Sequence, residues 1–217
     1  MTLTIAIAAV LAGVAVADVS GIDPAKLELK NSKVEVVTWK GSPAIKMVQN
    51  EVGFDGMAIV QGATFHNGTI EVDLAGLPGA RAAEAARGFV GISFRVQADG
   101  KHETFYIRPT NGRASDQLRR NHAVQYVSTP DWPWERLRKE TPGVYESYAD
   151  MEPGEWIHLK VVVKGTELQA YVGGATQPTL LVHDLKLGDA SGGIALWIGP
   201  GTDAYFKNLR VTPDGNK

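Results

Sequence analysis

The chain has 217 residues, 44% of them hydrophobic and 21% charged, with 24 acidic and 22 basic residues and a formal net charge of −2 at pH 7. This balance offers no electrostatic attraction for nucleic acid or an anionic membrane surface, so neither is predicted as a partner. The absence of cysteine excludes a disulfide framework, a thiol nucleophile and a zinc–thiolate site.

The chain begins with an apolar, uncharged segment. Residues 1–17 read MTLTIAIAAVLAGVAVA and end in Ala15-Val16-Ala17, which has the small-x-small form of a secretory cleavage site. The segment is shorter than the roughly 20 residues of a membrane-spanning helix. We predict a signal peptide at 1–17, secretion or export to the periplasm, and no membrane span in the mature protein. A buried strand or an uncleaved anchor is the alternative, since the segment lacks the usual positive charge.

Beyond residue 17 the dominant pattern is apolar–polar alternation of period two, broken by turn residues, which predicts strands. The predicted strands are 34–39, 44–47, 57–59, 68–74, 89–97, 103–109, 122–128, 145–148, 156–164, 167–172, 179–182, 193–198 and 204–211. Residues 80–86 have helical propensity but lie between two strands, so a loop or one short helix is expected there. Many short strands with almost no helix predict a sandwich or a barrel, formed by residues 18–217 as a single domain.

Four segments carry a resemblance to a known family. They are FHNGTIEVDL (65–74), GISFR (91–95), EWIHLKVVV with LQAYVGG (155–163 and 168–174), and GIALW with AYFKNLRV (193–197 and 204–211). They resemble strands of the concanavalin-A-like lectin/glucanase superfamily, and within it are similar to the 3-keto-disaccharide hydrolase domain family. The resemblance implies an all-β, two-sheet antiparallel jelly-roll sandwich that binds ligands on its concave sheet.

The same resemblance implies an exported carbohydrate-active domain that binds or processes a glycan, with 3-keto-glycoside hydrolysis or elimination as its enzymatic form. The superfamily also contains noncatalytic laminin-G-like modules, so a binding or adhesion module is the alternative.

Alternation along the strands predicts which side chains lie on the open face of the ligand sheet. The core set would include Phe105, Ile107, Val124 and Tyr126. The predicted open-face set is Arg95, Tyr106, Arg108, Gln125, Glu146 and Tyr148. Such a polar and partly aromatic floor could hydrogen-bond the hydroxyls of a sugar and stack against its ring. A solvated outer face with ordinary cross-strand pairs is the alternative.

Residues 108–138 form an unusual segment, with five further arginines after Arg108, at positions 113, 119, 120, 136 and 138, and with Trp132 and Trp134 on either side of Pro133. Exposed tryptophans suit sugar stacking, and arginines suit a carboxylate, sulfate or phosphate through paired hydrogen bonds. The segment therefore suggests a saccharide ligand, which could be anionic. Alternatively, it is a long loop in which each tryptophan is a hydrophobic anchor.

The catalytic residues of the best-known enzymes on this fold are not present. Glycoside hydrolysis usually needs two carboxyl groups, which laminarinase-type glycosidases carry as E-x-D-x-E; residues 71–75 read EVDLA and lack the last acid. A 3-keto sugar differs, because its carbonyl acidifies the adjacent C–H and permits elimination with one base. His122 and Glu146 are the predicted catalytic residues, with His102 as a further candidate base. A lone histidine is more often structural.

Metal sites are not indicated by the sequence. The five histidines show no paired ligand spacing. Asp203, just before the closing strand, could help to bind calcium as in some laminin-G-like relatives, or could be a turn residue. No other metal or cofactor is predicted.

Overall fold

A computed structural model describes residues 21–214. The predicted signal peptide at 1–17 lies outside the described residues. The strands in chain order are β1 (Leu27–Lys30), β2 (Ser32–Trp39), β3 (Ser42–Gln49), β4 (Gly56–Val60), β5 (Gly68–Pro78), β6 (Val90–Val96), β7 (His102–Ile107), β8 (Val124–Thr129), β9 (Glu146–Ser147), β10 (Ile157–Lys164), β11 (Glu167–Val172), β12 (Leu180–Val182), β13 (Gly193–Ile198) and β14 (Thr202–Pro213). The helices are the short 3₁₀ turn Pro24–Lys26, α1 (Pro109–Gly112), α2 (Gln117–Asn121) and α3 (Trp134–Glu140).

The strands form two antiparallel sheets of seven strands each. The front sheet has the order β1-β4-β13-β6-β7-β8-β9, and the back sheet has the order β12-β11-β10-β5-β14-β3-β2. Each sheet combines hairpin neighbours such as β6-β7-β8-β9 with neighbours that are distant in sequence, as in β5 between β10 and β14, which is the connectivity of a jelly roll. The predicted all-β, two-sheet antiparallel jelly-roll sandwich is confirmed.

Period-two alternation determines the core between the sheets. In β10, Ile157, Leu159, Val161 and Val163 are buried, while the residues between them are exposed or half-buried. Leu159 pairs with Val72 of β5, and the front sheet adds residues such as Ile92, Phe94, Phe105 and Leu196 to the same cluster. Burying each such side chain contributes about 1.5–3 kcal/mol.

The central strands of the front sheet are buried on both of their faces, which alternation alone would not predict. Every residue of β7 is buried, and so is every residue of β6 except its last. Part of the loop between β5 and β6 and segments of residues 108–140 flank its outer face, as the cleft described below shows. This covering layer converts a solvated sheet face into the floor of a site.

Two details differ from the sequence interpretation. The segment 108–138, for which a single long loop was the alternative, contains α1, α2 and most of α3 around β8, and β1 was not predicted. Residues 80–86 form turns without a helix, in agreement with the loop expected there. Within residues 21–214, no helix has the length and apolar character needed to cross a membrane.

Candidate functional site

A cleft of about 870 Å³ opens on the outer face of the front sheet. This volume lies within the range of about 300–1,000 Å³ that is typical of small-molecule sites. Its walls come from the loop between β3 and β4, the loop between β5 and β6, the region around α1 and α2, the start of α3, and the loop between β13 and β14. The lining includes Asp55, Arg81, Arg87, Phe89, Tyr106, Arg108, Arg119, His122, Val127, Trp134, Arg138 and Trp197.

Two aromatic side chains on adjacent positions of the sheet form the floor of the cleft. Tyr106 of β7 and Trp197 of β13 both pair with Gly91 of β6, which lies between them. Their ring centroids are 4.8 Å apart. A Cβ atom at Gly91 would lie 2.6 Å from the Cβ of Tyr106 and 2.2 Å from the carbonyl oxygen of Phe105. The glycine is therefore required for this close packing.

The rim of the cleft carries a more accessible aromatic ring. Trp134, the first residue of α3, is 39% exposed, whereas Tyr106 and Trp197 are only 3% and 5% exposed. The Arg138 guanidinium lies 4.6 Å from the centroid of the Trp134 ring, a cation–π contact that helps to orient it. Trp134 is therefore better placed than the floor residues to stack against a ligand.

A buried charge cluster holds the polar side of the cleft in place. Arg108 donates hydrogen bonds to Tyr106 Oη (2.8 Å), Gln125 Oε1 (3.2 Å) and Glu146 Oε1 (3.1 Å). Arg138 donates from Nε to Glu146 Oε2 at 3.0 Å and from Nη2 to Glu146 Oε1. One carboxylate therefore binds two guanidinium groups, and such charge-assisted pairs are the strongest hydrogen bonds in proteins.

Glu146 is a predicted catalytic residue, and both oxygens of its carboxylate already accept these hydrogen bonds. Burial alone would raise its pKa, but hydrogen bonds from Arg138 and the charges of Arg108 and Arg138 outweigh burial and hold the pKa below its ordinary value. Its side chain is only 2% exposed. The arrangement suits an anchor for two arginines better than a proton acceptor facing a ligand.

His122 lies at the cleft surface. Burial lowers the pKa of its imidazole below 6.5, and the charges of Arg138 and Arg108 act in the same direction against the opposing charge of Glu146. Its Nε2 is 3.6 Å from Glu146 Oε2. The ring is therefore neutral near pH 7 and can accept a proton there.

Asp55, before β4, is a titratable cleft residue that sequence reasoning missed. Solvent reaches it through the open cleft, yet desolvation by the surrounding protein raises the pKa of its carboxyl to about 6. A hydrogen bond from Trp197 acts in the opposite direction but is the smaller effect. A carboxyl group with this pKa can exchange protons near neutral pH.

Arg95 is not on the open face, and the structure corrects that expectation. It lies at a bulge where the β6–β13 register shifts, with a positive φ of 53°, so the alternation that placed it breaks at this point. Its side chain is fully buried and donates hydrogen bonds to the carbonyl oxygens of His66, Gly165 and Gly188 and to Asn67 Oδ1. It ties loops together and does not line the cleft.

Three further predicted binding residues, Gln125, Tyr148 and Trp132, also lie away from the cleft lining. Gln125 is fully buried, accepts a hydrogen bond from Arg108 and donates to the carbonyl oxygens of Tyr126 and Tyr145. Tyr148 contacts Arg120, whose Nη2 donates to Tyr148 Oη at 2.9 Å. Gln125 therefore supports the floor from within, and Tyr148 lies outside the lining set.

Trp132 is a hydrophobic anchor, which was the alternative interpretation of this residue from the sequence. Its ring packs against the core cluster, with the Arg136 guanidinium 3.6 Å and Lys186 Nζ 4.6 Å from the ring centroid. Its backbone pairs with Ser128. Of the two neighbouring tryptophans, the structure therefore places only Trp134 in the cleft lining.

His102 and Asp203 lie elsewhere. His102 is buried, its Nδ1 lies 2.8 Å from the carbonyl oxygen of Gly100, and burial lowers its pKa. The Asp203 carboxylate is 3.6 Å from Lys46 Nζ. Among residues 21–214, no group of three or more histidine, aspartate or glutamate side chains is arranged to hold a metal ion.

Several cleft residues were not predicted as site residues from the sequence. Phe89, Arg87 and Arg81 are on the loop before β6, and Trp197 is on β13, far along the chain from Tyr106. Only knowledge of strand order brings them together. The one usable signal was Trp197 itself, because its position on β13 alternates with the core residues Leu196 and Ile198.

No family model and no curated protein matches the chain. Among solved structures, it resembles the carbohydrate-binding module CBM66 from Bacillus subtilis (TM-score 0.54, 14% identity, 83% of this chain and 94% of that one). It also resembles a protein of unknown function with a galectin-like fold from Bacillus subtilis (0.55, 11%, 87% and 89%) and a mutant carbohydrate recognition domain of Emp46p (0.55, 9%, 93% and 96%). At these identities the likeness concerns the fold alone.

Proposed function

We propose that this chain binds a saccharide in the cleft on the front sheet. The observation that carries the proposal is the lining itself, in which aromatic rings and arginines converge in one cleft of about 870 Å³. Sugars present apolar C–H faces and many hydroxyl groups, so they are bound by stacking together with fixed hydrogen-bond donors. Two structural neighbours, a carbohydrate-binding module and a carbohydrate recognition domain, support the same proposal.

The two neighbouring tryptophans offer a matched test. Glycan-array screening of the full chain identifies a ligand, and calorimetry then compares Trp134→Ala with Trp132→Ala. We expect Trp134→Ala to weaken binding on the order of tenfold, because stacking at a cleft residue contributes about 0.5–1.5 kcal/mol beyond the area it buries. Trp132→Ala should lower stability and leave affinity unchanged. Wild-type affinity in Trp134→Ala contradicts binding of the glycan in this cleft, and no glycan bound at all favours the alternative, a noncatalytic laminin-G-like adhesion module.

An enzymatic form is a second candidate, favoured by the neutral imidazole of His122 and the carboxyl group of Asp55 in one cleft. On a 3-keto-glycoside, His122 would take the proton from carbon 2, next to the ketone. The electron pair would form the C1–C2 double bond as the glycosidic C1–O bond breaks, and the leaving oxygen would take a proton from Asp55. Water adds to the double bond afterwards and yields the free 3-keto sugar.

Turnover distinguishes the enzyme from a binding module. The purified chain is incubated with a 3-keto-disaccharide, and release of the free sugar is followed over time. We expect His122→Ala to abolish release while glycan affinity persists. Release at the wild-type rate in His122→Ala contradicts the assignment of the base, and no release by the wild type leaves a binding function.

We further propose that residues 1–17 direct export and are removed, which leaves residues 18–217 as a single sandwich domain outside the cytoplasm. N-terminal sequencing of protein recovered from the medium or periplasm should begin at Asp18. A sequence that begins at Met1 contradicts cleavage.

A further inference from the structure

The arginines of this chain divide sharply by their ion-pair partners. All ten lie within the described residues. Six of them are within 4.0 Å of a carboxylate oxygen, namely Arg95, Arg108, Arg113, Arg136, Arg138 and Arg210. The other four are Arg81, Arg87, Arg119 and Arg120, and the first three of these line the cleft. Among residues 21–214, three of the four arginines without a carboxylate partner therefore line one cleft.

Two of these arginines are held in fixed positions by neutral groups. Arg87 donates from Nη1 to the carbonyl oxygens of Glu84 (2.6 Å) and Ala86 (2.9 Å). Arg119 donates from Nε to Asn111 Oδ1 at 2.9 Å and from Nη2 to Thr110 Oγ1 at 3.1 Å. The backbone N–H of Thr110 donates to the carbonyl oxygen of Arg87, which joins the two walls of the cleft at this point.

Each of the two side chains retains unused donors. Within residues 21–214, Nε and Nη2 of Arg87 and Nη1 of Arg119 have no hydrogen-bond partner. These nitrogens reach solvent, in contrast to Nε of Arg120, which is buried and unpartnered. Nε and Nη2 form one edge of the planar guanidinium group, and that edge matches two oxygens of a carboxylate or a sulfate.

The two guanidinium groups also repel each other. Burial lowers the pKa of Arg87 below its ordinary value, and the charge of Arg119 lowers it further. No carboxylate of the described chain lies close enough to either guanidinium to form an ion pair. An anion between them would relieve this repulsion and use the free donors at once.

We propose that Arg87 and Arg119 form an anion subsite, and that the saccharide bound in the cleft carries a carboxylate or a sulfate group there. This inference rests on the proposed saccharide-binding function and adds the class of ligand. The aromatic residues would contact the sugar ring, while the two arginines select for its charge. Arg108 does not serve this role, because Glu146 already neutralises it.

Matched pairs of probes test the subsite. The first pair is an oligogalacturonate and its fully methyl-esterified form, which has the same sugar chain but a neutral methyl ester in place of each carboxylate. The second pair is a chondroitin sulfate tetrasaccharide and its chemically desulfated form. Calorimetry with the full chain should give affinity on the order of tenfold higher for the charged member of at least one pair. The pair that shows the preference distinguishes carboxylate from sulfate.

Variants then test whether Arg87 and Arg119 cause the preference for the charged probe. Arg87→Gln and Arg119→Gln should each reduce affinity for the charged probe toward that of the uncharged one, and should reduce affinity for the uncharged probe much less. Arg113→Gln is the matched control, since it removes the same charge from an exposed residue paired with Asp150 outside the cleft. A preference that survives in both cleft variants, or that falls equally in Arg113→Gln, overturns the subsite.

The outcomes separate this inference from the function on which it rests. Equal binding of charged and uncharged probes, with loss of both in Trp134→Ala, overturns the anion subsite and leaves saccharide binding intact. No binding of any of the four probes, together with no glycan bound on the array, overturns both.

Discussion

The Arg108 guanidinium donates a hydrogen bond of 3.1 Å to the Glu146 carboxylate, and the two side chains are only 5% and 2% exposed. Arg138 binds the same carboxylate from α3. The pair therefore links β7, which forms the cleft floor, to β9 at the sheet edge and to the helix that presents Trp134. Such a link holds these parts of the cleft in position relative to one another.

Replacing Glu146 by glutamine tests this anchoring role. We expect a loss of about 3 kcal/mol in the free energy of unfolding, because Arg108 would remain buried without its counter-charge. Urea denaturation measures the loss, and Glu140→Gln, which breaks the exposed pair with Arg136, should cost under about 0.5 kcal/mol. The pKa of Glu146 lies below its ordinary 4.5 in the fold, so its stabilising effect is present above pH 4.5 and disappears as the pH falls through the lower folded value. An unchanged acid midpoint in Glu146→Gln would contradict the anchoring role.

Asp55 should titrate at a pH far above that of an ordinary aspartate. We expect a midpoint near 6 instead of 3.8, followed by the carbonyl ¹³C shift of its side chain in NMR. Trp197→Phe removes a hydrogen bond that lowers this pKa, so the midpoint should rise further. A group with a raised pKa favours the fold only while protonated, so Asp55→Asn should gain stability relative to the wild type as the pH rises from 3.8 to about 6. A midpoint near 4 in the wild type would remove Asp55 as a proton donor.

Arg95→Met should lower the stability of the fold and leave glycan binding in the cleft unchanged. Four oxygen acceptors, three of them carbonyl oxygens, would lose their donor inside the protein, at a cost of about 1–3 kcal/mol for each group left unsatisfied. Thermal unfolding measures the loss, with Arg210→Met, an exposed arginine 4.0 Å from Glu71, as the control. Glycan affinity of the folded fraction should equal that of the wild type. A variant of normal stability with lost affinity would return Arg95 to the binding surface.

Gly91→Ala probes the contact between strands under the aromatic floor. The new Cβ would lie 2.2 Å from the carbonyl oxygen of Phe105 and 2.6 Å from Tyr106 Cα, so β6 and β7 must shift. We expect destabilisation of about 1–3 kcal/mol and a change in the near-ultraviolet circular dichroism of Tyr106 and Trp197. Gly53→Ala, where a Cβ meets nothing within 4 Å, is the control and should be nearly neutral. A neutral Gly91→Ala would show that the strands tolerate the side chain.

The limits of sequence reasoning are visible in individual residues. Tyr106 and Arg108 were predicted on the ligand side of β7, and the structure places both in the cleft lining, because β7 alternates regularly. Arg95 was predicted on the same side, but the bulge in β6 turns it into the protein interior. A single irregular residue in a strand reverses the inward and outward assignment of the side chains beside it. The sequence of β6 beside Arg95 contains no glycine or proline that would indicate the bulge.

By itself, the sequence determined the all-β class, most strand positions and the inward set of side chains, because alternation and turn residues are local properties of the chain. The resemblance added the jelly-roll arrangement. Only the tertiary structure decided which side chains meet, since strand order brings Gly91 between Tyr106 and Trp197, and a hydrogen bond from the Thr110 N–H to the Arg87 carbonyl oxygen joins the two walls that carry Arg87 and Arg119. These contacts are separated widely along the chain, and no local pattern can encode them. For the same reason, only the tertiary structure could show that Glu146, a candidate base in the sequence, is the partner of two arginines.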